Sequence, residues 1–207
     1  GQHVFIARED GTIVALSIEN GRTVWTRRIG GSPQPLLALG DRLYVGSDDN
    51  YLYCLLAGDG KIDWRWRTGG DVIGRPAYDD QRVYIVSLDT LARGLDRRSG
   101  AQRWKAVLTL RPTGGIIAGP SALLVSGVGG TVQAFAPKDG ASLTAVDAGG
   151  LLAAPPHVAP APLLPSSVLV LVARKGRILR EFLEDEVALG HMSPAEVDHV
   201  CDAGVRI

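Results

Sequence analysis

Apolar positions along the first 150 residues recur in a fixed order rather than at helical spacing. The triplets Val4-Phe5-Ile6, Leu43-Tyr44-Val45, Val83-Tyr84-Ile85 and Leu123-Leu124-Val125 are short runs of β-branched, aromatic or leucine residues, and they predict buried strands. A turn pair follows each: Asp10-Gly11, Asp49-Asn50, Asp89-Thr90 and Gly129-Gly130. Such pairs join hairpin strands because both central residues can take positive φ, so Thr90 predicts a modified loop in the third copy. Next come a small residue (Ala15, Cys54, Gly94, Ala134) and a large one (Leu16, Leu55, Leu95, Phe135). Five residues beyond the large one stand Gly21, Gly60, Gly100 and Gly140, each after Asn, Asp or Ser.

These glycines are 39, 40 and 40 residues apart, a period that marks a stacked array. Four residues after each come Trp25, Trp64, Trp104 and, in the last copy, Thr144. A further strand precedes the units, as in "PQPLLAL" (33–39) and "GRPAYDD" (74–80). Four antiparallel strands every 40 residues predict the blades of a β-propeller. The expected fold is therefore all-β, a partial propeller of about four to five four-stranded antiparallel blades over residues 1–182. The units run over 1–30, 31–69, 70–108 and 109–148, with a partial one over 149–182. A blade cannot bury both faces alone, so Trp25, Trp64 and Trp104 are expected to pack on the neighbouring blade, with Gly21, Gly60, Gly100 and Gly140 as the turn positions of the same register. Trp66 falls outside that register.

The first unit begins at its second strand, and the last supplies only the pair "SVLVLVA" (167–173) and "RILREFL" (177–183) around Lys175-Gly176. An arc of about four and a half blades exposes sheet edges, which predicts either a longer protein or a partner chain that completes it. Five prolines between Pro155 and Pro165 predict a surface loop. "REFLEDEVALG", and "SPAEVDHV" with Ser193 as N-cap, Pro194 at the first helical position and Glu196 as capping-box partner, predict a short helical tail over 183–207.

The stretches "NYLYCLLAGDGKIDWRWRTGG" and "TIVALSIENGRTVWTRRIGG" resemble the pyrroloquinoline-quinone-type propeller repeat, with its Leu-Tyr-Ala-Leu-Asp, Thr-Gly-Lys and Trp consensus. The likeness covers residues 1–150 and is specific for blade type rather than for chemistry. It implies three settings: quinone-dependent alcohol and sugar dehydrogenases, BamB-like envelope assembly lipoproteins, and ligand-sensing propellers of bacterial kinases. "SLDTLARGLDRRSGAQRWKAVLTLRPTGG" followed by "LLAAPPHV" further resembles BamB-like lipoproteins. The dehydrogenases would bring a disulfide between adjoining cysteines, calcium and an aspartate base; here the only cysteines are Cys54 and Cys201.

Charge and candidate chemistry narrow the picture. Lys plus Arg (22) balances Asp plus Glu (22), so no bulk field favours nucleic acid or an anionic membrane. The longest apolar run, Leu163 to Ala173, is interrupted by Pro165 and is too short to cross a bilayer. Cys54 occupies the small slot and reads as inert core. His191, His199 and Cys201 are one ligand short of a structural zinc site. Asp48-Asp49, Asp79-Asp80 and Asp89 sit where turns favour aspartate. "GVGGTV" (127–132) and "GGIIAG" (114–119) lack the spacing of nucleotide loops, and Arg27-Arg28, Arg97-Arg98 and Arg103 read as a solvated outer edge. No catalytic, cofactor-binding or metal residue is assigned. The expectation is a non-enzymatic, BamB-like scaffold of the bacterial envelope, periplasmic or at the outer membrane, meeting protein partners through loops or edge strands. A lipidated leader outside this segment would attach it peripherally to the membrane. The rivals are a fragment of a quinone-dependent dehydrogenase and a kinase sensor.

Overall fold

A computed structural model describes residues 2–152, 156–160, 167–172 and 178–183. Eighteen strands form five antiparallel sheets, each a meander in chain order. Sheet 1 holds β1 (His3–Ala7), β2 (Thr12–Ser17) and β3 (Thr23–Arg28). Sheet 2 holds β4 (Leu37–Leu39), β5 (Arg42–Gly46), β6 (Tyr51–Leu56) and β7 (Ile62–Arg67). Sheet 3 holds β8 (Val72–Tyr78), β9 (Arg82–Ser87), β10 (Leu91–Asp96) and β11 (Gln102–Val107). Sheet 4 holds β12 (Pro112–Ala118), β13 (Leu123–Gly127), β14 (Thr131–Phe135) and β15 (Ser142–Asp147), and sheet 5 holds β16 (His157–Pro160), β17 (Ser167–Val172) and β18 (Ile178–Leu183). The architecture is that of stacked propeller blades, all-β throughout the described residues.

The two middle strands of a sheet are buried on both faces, which is why their apolar runs do not alternate. The core accordingly lies between sheets. Phe5, Ile13 and Trp25 of sheet 1 meet Leu43, Val45 and Leu55 of sheet 2. Tyr44, Leu52 and Cys54 meet Val83, Ile85 and Leu95 between sheets 2 and 3, and Tyr84, Val86 and Trp104 meet Ile116, Leu123 and Phe135 between sheets 3 and 4. The inner strands of sheets 3 and 4 nearly touch: a β-carbon on Gly74 would fall 2.2 Å from the Gly115 nitrogen.

Several local expectations need correction. In the first three hairpins only the second residue of each turn pair is left-handed, at Gly11, Asn50 and Thr90. The Gly11 nitrogen donates to Arg8 O while the Arg8 nitrogen donates to Thr12 O, a turn followed by a one-residue bulge rather than a two-residue loop. Thr90 takes φ 59° like its counterparts, so the third loop is not modified; a β-branched residue is held there under strain. Within the proline-rich loop, His157–Pro160 forms β16, paired with β17. The strand pair expected at 167–173 and 177–183 is β17 with β18, so the first residues of "REFLEDEVALG", also read as the start of the helical tail, lie in a strand. The rest of that tail lies outside the described residues.

Candidate functional site

Because each sheet is a meander, its turns divide between two ends, and both ends carry devices that join neighbouring sheets. At the first end sits the Asx-Gly turn. Asn20, Asp59 and Asp139 each accept a hydrogen bond from the amide two residues on, at 3.0 Å, and Ser99 accepts one at 3.3 Å. Gly21, Gly60, Gly100 and Gly140 then adopt φ near 70°, with each amide donating to the carbonyl four residues back.

That turn seats the indole of the preceding sheet. Trp25 Nε1 donates to Ala57 O (2.9 Å), Trp64 Nε1 to Arg97 O (3.3 Å) and Trp104 Nε1 to Pro137 O (2.9 Å). A β-carbon on Gly60, Gly100 or Gly140 would lie 2.4–2.6 Å from the ring of Trp25, Trp64 or Trp104 in turn. Around Gly21 nothing lies within 4 Å. In their own sheets the indoles face Ala15, Cys54 and Gly94 across the strand pair, which is why that slot is small. One extra residue, Val24, Asp63 or Arg103, bulges out just before each indole. The Tyr44 hydroxyl donates to the same carbonyl as the indole, at 3.0 Å, whereas the Tyr84 oxygen lies 3.2 Å from Pro137 O with its proton directed to Asp79. In the fourth copy Leu124 and Thr144 offer neither donor.

The contrast between glycines gives a test. Gly21→Ala and Gly60→Ala incur the same left-handed cost, but only the second intrudes on an indole. Gly60→Ala is expected to lose about 1–3 kcal/mol more stability than Gly21→Ala, read by urea unfolding. Adding Trp25→Ala to both should abolish the difference.

At the opposite end, in sheets 2 to 4, the residue just before the small slot holds the connection arriving from the preceding sheet, directly or through a carboxylate. Tyr53 OH receives the Gly30 amide at 3.4 Å and Gln133 Oε1 receives the Thr109 amide at 3.1 Å. Between them, Arg93 Nη2 pairs with Asp89 Oδ2 at 2.5 Å, and that carboxylate accepts the Gly69 amide at 2.9 Å. Burial pushes the Asp89 carboxyl up, but hydrogen bonds from Arg93, Ser87 and the Gly69 amide outweigh it and hold it at about 2. These polar positions were not singled out in the sequence; their place one residue before a repeated small slot was the available signal.

The residues that suggested chemistry are committed to structure. Cys54 is fully buried, and desolvation pushes its thiol up to about 12. Asp79 accepts the Gln81 and Arg82 amides, the Arg82 guanidinium and the Tyr84 hydroxyl. Asp49 receives the Tyr53 hydroxyl, and Asp48 receives the Ser32 amide at 2.6 Å. Arg97 donates to Asp79 O and Asp80 O, and Arg103 pairs with Asp96. Trp66 packs beside the core between sheets 2 and 3, its buried indole nitrogen without a partner among the described residues. No group of three or more His, Cys, Asp or Glu able to hold a metal occurs among the described residues, and His191, His199 and Cys201 lie outside them. No described helix is long and apolar enough to cross a membrane.

A cavity of about 1140 Å³ runs along inner strands β8 and β12, walled by Arg75, Tyr78, Asp79, Thr113, Ile117 and Ser126. More distinctive is the end that carries the sheet-to-sheet connections. Leu88, Val128 and Leu151 stand there 42, 59 and 51% exposed, whereas the first two hairpins carry Glu9 and Asp48 at the position of Leu88 and Val128. The Leu88 amide is tied to Asp71 O and the Val128 amide to Arg111 O, so the apolar tips are held on hydrogen-bonded turns.

Residues 9–154 match the family described as outer membrane protein assembly factor BamB. The protein of that name from Yersinia pestis is 27% identical over 157 residues, covering 68% of this chain and 40% of the relative. That from Burkholderia pseudomallei is 28% identical over 149 residues, covering 65% and 37%. Among solved structures, BamB from Moraxella catarrhalis superposes with a TM-score of 0.53 at 17% identity, over 89% of this chain and 74% of that one. Sqt1 from Saccharomyces cerevisiae reaches 0.75 at 14% identity, over 88% and 55%, and shares the fold alone. The chain thus spans about 40% of the length of the Yersinia relative. With the repeat, the seated indoles and this match in agreement, the chain belongs to the BamB family of pyrroloquinoline-quinone-type repeat proteins.

Proposed function

We propose that this chain is a non-enzymatic propeller scaffold of the bacterial envelope, which holds a protein of the outer-membrane assembly machinery against its connection end. The observation that carries the reading is the exposure of Leu88 and Val128 on hydrogen-bonded turns, with Leu151 exposed at the same end. Apolar side chains fixed on a polar, hydrogen-bonded frame are what an interface core requires. The names of the relatives, outer membrane protein assembly factors, support the process and an envelope setting, and a periplasmic or outer-membrane position is part of the proposal. Chemistry has no comparable support, because the carboxylates and the thiol are occupied in turns and core.

The test places a photo-crosslinking residue at Leu88 or Val128 and exposes the purified chain to solubilised envelope from its own source. A single outer-membrane assembly protein is expected to be captured from both sites, and Leu151→Asp is expected to weaken capture about tenfold. A melting temperature raised by pyrroloquinoline quinone with calcium, together with dye reduction, would overturn the reading in favour of a dehydrogenase.

A further inference from the structure

We propose that the outer rim of sheets 1 to 3 is a docking surface for an anionic lipid membrane. The outermost strands β3, β7 and β11 carry Arg27, Arg28, Arg65, Arg67, Arg103 and Lys105 against one carboxylate, Asp63. Asp63 is bound by Arg42 at 3.0 Å, so it neutralises none of them. Arg27 donates to Gly60 O and Arg103 pairs with Asp96. The remaining four, Arg28, Arg65, Arg67 and Lys105, are exposed and form no ion pair among the described residues.

The overall charge balance conceals this segregation. Asp10, Asp48, Asp59, Asp79, Asp89 and Asp139 lie in turns and loops at the two ends of the sheets; Asp10 is close enough to Arg28 to feel its charge, which leaves Arg65, Arg67 and Lys105 as the unopposed cations of the rim. Sheet 4 breaks the band, since β15 has no cation and carries Asp147.

Apolar side chains are interleaved with the cations. Val24, Ile62 and Val107 on the same three strands are 45, 41 and 69% exposed. The Arg65 guanidinium is held 4.9 Å from the centroid of the Tyr51 ring, which fixes its position on the rim. Cations alternating with exposed aliphatics suit the boundary between anionic headgroups and acyl chains, where both kinds of side chain gain. A nucleic acid would reward stacking aromatics instead of valine and isoleucine, and Tyr51 is already covered by Arg65. Arg28, Arg67 and Val107 end their strands beside the connection end, but vesicle flotation and protein crosslinking read the two proposals separately, so either can fail while the other stands.

The experiment is flotation of the purified chain with vesicles of phosphatidylethanolamine and phosphatidylglycerol, compared with phosphatidylethanolamine and phosphatidylcholine. Binding to the anionic vesicles alone is expected, lost on raising salt. The triple variant Arg65→Gln, Arg67→Gln, Lys105→Gln should bind roughly 100-fold more weakly, given the usual gain per basic residue near an anionic surface. Ile62→Ser with Val107→Ser should weaken binding while leaving its salt dependence intact. Both variants alter exposed side chains, and an unchanged melting temperature confirms their folding. Equal binding to both vesicle types, or an unaffected triple variant, would overturn the proposal. So would tighter binding of duplex DNA or polyglutamate that the same three substitutions abolish.

Discussion

Trp104→Ala is expected to lower the unfolding free energy by about 3–5 kcal/mol, read as a shifted urea midpoint. The indole is almost wholly buried and lies over Gly94, which has no side chain to fill the void. It also packs 5.7 Å from the Tyr84 ring and covers Gly140. Its removal opens a cavity along the seam between sheets 3 and 4 and takes from Pro137 O its indole donor. In a stacked array, stability is a sum of repeat and interface terms, so weakening one seam should also split unfolding into two steps. Trp104→Phe keeps most of the ring but loses the N–H donor, and should cost about 1–2 kcal/mol. A midpoint for Trp104→Ala within about 1 kcal/mol of the parent would mean that the seam does not depend on the indole.

The period, the strand order and the indole register were legible because they are written in residue types with few alternatives. Glycine at positive φ, a small residue opposite an indole, and Asn, Asp or Ser at the turn each repeat at fixed spacing. Thr90 misled because the surrounding ladder outweighs the threonine's local preference and holds it in the left-handed region like Gly11 and Asn50. β16 was hidden by prolines, which suit the end of an edge strand as well as a loop. The second seam was not legible for a different reason. Tyr53, Arg93 and Gln133 share a position and a task but no chemistry, so no residue-by-residue repeat reveals them. The exposed apolar tips likewise emerged only when topology placed Leu88, Val128 and Leu151 at one end.

Arg93→Met is expected to cost about 3–5 kcal/mol near neutral pH, because it strands the Asp89 carboxylate in a largely buried site. The same pair makes stability depend on acid. Asp89 is held at about 2 in the folded protein against an ordinary 3.8, so its contribution, about 2 kcal/mol, is complete above the ordinary value. It is lost as pH falls from ~5 through ~2, where the folded protein takes up the proton. Without the guanidinium, burial raises the carboxyl instead, and acid no longer removes a favourable pair. The gap between parent and variant should therefore narrow by about 2 kcal/mol across that interval, measured by urea unfolding at each pH. Asp79 and Asp96 are also held low, but they titrate in both proteins and cancel from the difference. A gap independent of pH would assign the loss to packing of the Arg93 stem. Asp89→Asn together with Arg93→Met separates the two origins: if charge is the cause, the double variant recovers part of what the single one loses, because no ionised group is left behind.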